Sequence, residues 1–109
     1  MRRLYSTRYE VLGKAREAGV PIYAGTDAGG TMAHGLIGDE VEQLAHLGDA
    51  EFALGAASWR ARSWLGRDGL EQGSSADLVV YTSNPLDDLA VVHHPAWVIL
   101  RGRIVVSRP

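Results

Sequence analysis

Residues 20–30 read VPIYAGTDAGG, from Val20 to Gly30, and the fold turns on how this stretch is read. Its first half carries the apolar and β-prone residues Val20, Ile22 and Tyr23, so a buried strand is expected over Val20–Ala24. Its second half is made of small residues around one carboxylate, Asp27. A strand that stops at Gly25-Thr26-Asp27 presents an acid at its C-terminal tip, where α/β folds gather ligands and catalytic groups. The plainer reading is a turn or cap, since aspartate next to glycine is common in both.

Upstream, Leu4 to Ala18 reads as a helix. Leu4, Val11, Ala15 and Ala18 fall near one face, and Lys14, Arg16 and Glu17 lie largely on the other. Gly19 supplies a stop and Pro21 prevents continuation. Helix, glycine turn and apolar strand make half of a parallel α/β unit.

Downstream comes a loop of small residues, Gly25–Gly35, carrying Thr26, Asp27, Thr31 and His34. A second helix is expected from Ile37 to Leu47, with Asp39, Glu40 and Glu42 near its start, where the helix dipole favours acids. Asp49 fits as the N-cap of a third helix over Ala50–Ala57, and a short fourth helix runs from Ser58 to Leu65 and stops at Gly66. Beyond Arg67 the character changes to turns and strands. Asp77–Tyr81, Trp97–Leu100 and Arg103–Val106 read as strands, the last two around Arg101-Gly102, and Ser83-Asn84-Pro85 reads as a turn. The expected fold class is therefore α/β, in two parts: 1–66, helical with one parallel-type strand, and 67–109, rich in β-strand. One such strand has no sheet to join, and an eight-stranded barrel needs about 250 residues. The chain is expected to be the C-terminal piece of something larger.

Composition narrows the partners. Hydrophobic residues are 46% and charged residues 22% of the 109, which favours a folded chain over a disordered one. A net charge of −2 gives no reason to invoke nucleic acid or a membrane as partner. Without cysteine there are no disulfides or thiolate metal sites, and a cytoplasmic location is the expectation. No apolar run approaches the roughly 18 residues of a membrane span. The N-terminal MRRLYSTRYE lacks the apolar stretch of a signal peptide.

The pieces GTDAGG at Gly25–Gly30, HG at His34-Gly35, ALGAAS at Ala53–Ser58, LG at Leu65-Gly66, GSSADLVVYTSNPLDD at Gly73–Asp88 and RGRIV at Arg101–Val105 follow one another in a familiar order. In that order the chain resembles the C-terminal third of amidohydrolase-superfamily metal-dependent hydrolases, in the subgroup with imidazolonepropionase-like and prolidase-like enzymes. The resemblance implies that 1–66 is the last strand–helix portion of a TIM (β/α)8 barrel. It implies that 67–109 supplies C-terminal strands of a small β-sandwich. It makes Asp27 both a ligand to a divalent metal, Zn by preference, and the catalytic acceptor of a proton from the metal-bound water. His34, just before the second helix, is a candidate to contact substrate or sit near the mouth of the metal site, with a surface loop histidine as the equal alternative. The reaction implied is hydrolysis of a carbon–nitrogen bond in an amide, cyclic amide or dipeptide-like small molecule. The family's His-x-His pair and its other ligands are not in this sequence, so the 109 residues alone are expected to be inactive and to bind no metal. The family's threonine and proline near Ser58–Arg62 are replaced by SWRAR. The alternative is a non-catalytic binding or self-assembly module derived from a hydrolase, with homo-oligomers as its mark.

Three further features have bland readings. Trp59, Trp64 and Trp97 are expected in core or interdomain packing. His46 is expected at a helix C-terminus, and His93-His94 on the surface, because adjacent side chains of an extended segment point apart. The glycines of GTDAGG lack the following Gly-Lys-Ser/Thr of a phosphate loop.

Overall fold

Helix α1, Arg2–Glu17, ends in a left-handed glycine: Gly19 has φ 87°, its N–H donates to Arg16 O, and Val20 N–H donates to Ala15 O. This pair of bonds is the Schellman arrangement, and it turns the chain sharply into residues 20–30. The computed structural model describes residues 2–30 and 33–107, and side chains from residue 7 onward, so Thr31 and the side chain of Leu4 lie outside the described residues.

Helices α2 (Ile37–Leu44), α3 (Ala50–Ala57) and α4 (Trp59–Trp64) follow, and a 3-10 turn at Ala45–Leu47 completes the expected second helix. The Asp49 carboxylate accepts from Phe52 N–H at 2.8 Å, which satisfies one of the donors left open at the start of α3. Val41 and Leu44 of α2 meet Ala53 and Ala56 of α3, and these four form the central buried cluster. The two alanines have no exposed surface, which lets the helices approach closely. Ile22 and Ala24 pack against this core from the chain that leaves α1.

The β-rich tail forms a three-stranded antiparallel sheet in the order β1 (Leu78–Val80), β2 (Trp97–Leu100), β3 (Arg103–Ser107). Arg101 and Gly102 have φ of 51° and 78°, the signature of the two-residue hairpin turn whose twist suits antiparallel strands. The turn is held from behind: Arg101 N–H donates to Asp77 Oδ1 and Gly102 N–H to Ala76 O. A register shift between Val98 and Ile99 leaves Val105 as the extra residue on β3. Between β1 and β2, Asn84 organises the expected turn by accepting from Leu86 N–H through its side chain. A 3-10 turn at Leu89–His93, which sequence reading leaves out, then packs on α2.

The architecture is thus α/β in content, four helices followed by an antiparallel sheet, and no barrel is seen among the described residues. The expected strand Val20–Ala24 is corrected: no residue from 20 to 27 belongs to a strand. A strand exists only where a neighbour accepts and donates backbone hydrogen bonds. Here Ala24 N–H donates to Ala56 O of a helix instead, and the three strands of the sheet pair among themselves. Of the two places expected for the tryptophans, the core of this chain is not the one they take. Trp64 is 67% exposed and Trp59 and Trp97 are also exposed, although Trp64 stacks on Tyr23 with ring centroids 4.8 Å apart.

Candidate functional site

Asp27 sits in the left-handed region with φ 53° and is followed by Gly29 and Gly30, also at positive φ. Aspartate tolerates this region better than most residues, yet the conformation costs on the order of 1 kcal/mol, and such outliers cluster at sites of chemistry. A Cβ on Gly25, Gly29 or Gly30 would meet nothing within 4 Å, so the loop stands in open space. Asp27 is exposed, and no described residue donates to its carboxylate. His34 is exposed as well, in a bend just before α2. Neither residue lines the cleft between α2–α4 and the sheet or the one between α1 and α2.

The donor set decides what this chain can hold. Among the described residues no three His, Asp or Glu side chains converge as metal ligands. Catalytic Zn²⁺ takes about three protein ligands. The described residues by themselves do not form such a set.

The titratable groups with displaced affinities lie elsewhere. Asp77 is held below the ordinary aspartate value, first by the Ser75 hydroxyl, which donates to Oδ2 at 2.7 Å, and then by Arg101 N–H. Glu71 is lowered first by its own backbone N–H and, more weakly, by the Ser74 hydroxyl and then the Gly69 backbone. Burial pushes the Tyr81 hydroxyl up. All three serve the turns and strands of the tail.

His93 departs from its expected surface place. It is half-buried, and its Nε2 lies 2.8 Å from Glu42 Oε1 and 3.9 Å from Asp39 Oδ1, so it ties the second 3-10 turn to α2. Its ring passes so close to Gly38 that a Cβ there would sit 2.6 Å from Nδ1. His94 stays exposed. Asp39 and Glu42, three residues apart on one helix face, were a visible acidic pair, but nothing local points to a histidine 51 residues away. His46 is exposed and rests against the Tyr9 ring at 5.5 Å, and the Tyr9 hydroxyl bonds Gln43.

A cleft of about 470 Å³ opens between α2–α4 and the sheet, bordered by Val41, Leu54, Trp59, Leu70 and Val79. Arg62 also lines it, donating to Asp77 O at 2.8 Å and, at 3.4 Å, to Gly69 O. A second cleft of about 410 Å³ lies between α1 and α2. No helix among the described residues is long and apolar enough to cross a membrane.

No family model matches the chain. It is 56% identical over 104 residues to the uncharacterized protein Rv2915c of Mycobacterium tuberculosis (strain ATCC 25618 / H37Rv), and equally to the uncharacterized protein Mb2939c of Mycobacterium bovis. The alignment covers 94% of this chain but only 28% of each relative, so the chain spans under a third of their length. The matched segment is the C-terminal part of the mycobacterial protein.

Proposed function

We propose that this sequence is the C-terminal part of a metal-dependent amidohydrolase in which Asp27 is both a metal ligand and the proton-accepting carboxylate. The observation that carries the reading is Asp27 itself: an exposed acid in a left-handed conformation, inside GTDAGG, with glycines that keep the space around it open. The match to the C-terminal 28% of a longer protein supports it, because the remaining ligands of such a site would come from other parts of that polypeptide. In this reading 1–66 closes a (β/α)8 barrel, Val20–Ala24 gains the ladder partners it lacks here, and 67–109 belongs to an attached β-sandwich.

A divalent metal, Zn by preference, supplies an acidified water and polarises the scissile carbonyl when bound. Asp27 contributes a fixed carboxylate that takes the proton of the attacking water and returns it to the departing nitrogen. Open glycines leave room for an amide, cyclic amide or dipeptide-like substrate beside it. His34, exposed just before α2, is the candidate substrate contact.

The test is a graft. This chain replaces the matched C-terminal segment of the mycobacterial relative, and amide and cyclic-amide hydrolysis is measured with Asp27 and with Asp27→Asn. Turnover is expected with the acid and lost with the amide; equal turnover in both would refute the role. A second reading, a self-assembling module without catalysis, draws on exposed apolar side chains such as Leu65 and Leu70. Concentration-dependent oligomers on sizing, together with an inactive graft, would favour it.

A further inference from the structure

We infer that residues 20–24 are held out of any sheet by a clasp on α3 and α4, and that the clasp opens when the segment carrying Asp27 joins a sheet of the longer polypeptide. The inference rests on the barrel reading above and adds to it a conformational step at the same site. Two contacts make the clasp. Ala24 N–H donates to Ala56 O at 3.0 Å. Beside it, Tyr23 stacks on Trp64 with ring centroids 4.8 Å apart and planes inclined by 17°.

The hydrogen bond is exclusive. Ala56 lies in the last turn of α3, where a helix leaves its carbonyls without partners of its own. Ala56 has no exposed surface, so Ala24 rather than water satisfies this one. A strand inside a closed sheet has a neighbour on each side, and each of its N–H groups goes to one of them. The Ala24 N–H therefore serves Ala56 or a neighbouring strand, not both.

The stack guards the same stretch. Ile22 and Ala24 pack on the α2–α3 cluster, while Tyr23, between them, meets the end of α4. Trp64 is 67% exposed even when stacked, so little surface is lost when the rings part. Of the N–H groups of Ile22, Tyr23 and Ala24, only that of Ala24 has a partner among the described residues. A ladder supplies partners to all three, and that surplus is what opens the clasp.

Photo-crosslinking tests it in the 109-residue chain and in its graft into the mycobacterial relative, each with p-benzoylphenylalanine in place of Trp64. A link from position 64 to the peptide carrying Tyr23 is expected in the chain alone. Its yield is expected to fall severalfold in a graft shown to be folded by circular dichroism. Equal yields in the two would overturn the proposal. A second variant needs no graft. In the 109-residue chain, Trp64→Ala is expected to speed deuterium exchange at the Ala24 amide severalfold relative to amides within α3. Unchanged exchange would overturn the clasp as one unit. The metal role fails separately: a folded graft that loses the link yet binds no zinc supports the clasp and removes Asp27 as a ligand.

Discussion

Residues 20–24 and residues 97–107 both carry the composition of β-strand, yet only the second stretch forms one. The hairpin brings its partner with it: Arg101-Gly102 folds β3 back on β2, and Asp77 and Ala76 hold the turn in place. Val20–Ala24 has the apolar residues of a strand and a Schellman turn to launch it, but among the described residues no strand pairs with it. The difference is one of sequence distance. Antiparallel neighbours arrive through a two-residue turn, whereas parallel neighbours require a crossover of a dozen residues or more.

The two halves also differ in where burial lies, and mutations sharpen that contrast. Leu44→Ala, which empties the α2–α3 core, is expected to cost about 2–5 kcal/mol in urea unfolding. Ile104→Ala, at a position 60% exposed on β3, should stay within about 0.5 kcal/mol. Similar losses at the two sites would break the picture of a core concentrated in the helical half. Next in size, Asp49→Ala removes the side-chain acceptor at the start of α3 and should cost about 1 kcal/mol in the same assay. Asp49→Ser should restore most of it.

The tie between the halves is weaker. A double-mutant cycle of Glu42→Gln and His93→Gln is expected to give a coupling of about 0.2–1 kcal/mol, since both side chains are partly in water. Gly38→Ala should erase the coupling by pushing the imidazole away. The smallest effect is electrostatic. Because the folded state holds Asp77 below its ordinary value of 3.8, its contribution is fully present above that pH and is lost as pH falls through the lowered value. Acid unfolding of Asp77→Asn should accordingly be less steep below about pH 4 than that of the parent chain.

Much of this was legible in the residues. Helix α3 spans the expected Ala50–Ala57, because Asp49 offers a cap and the following residues are apolar at helical spacing. The strands around Arg101-Gly102 emerge from a strong local turn signal. His93 was not legible, since its partners are set by the packing of two elements 51 residues apart. The exposure of Trp64 and Trp59 was hidden for a related reason: an aromatic residue signals that it packs, not against which part of a polypeptide. At the candidate site, GTDAGG marks the acid, while the left-handed backbone of Asp27 was beyond any pattern reading.

The most direct measurement is zinc content, by elemental analysis, of this chain alone, of the graft into the mycobacterial relative, and of the graft carrying Asp27→Asn. The account predicts no stoichiometric zinc on the 109 residues and zinc on the graft. It also predicts an affinity loss on Asp27→Asn greater than the roughly 10–100-fold that follows removal of an outer-shell partner. A graft that keeps its zinc undiminished with asparagine at position 27, or tight stoichiometric zinc on the 109 residues by themselves, would contradict it.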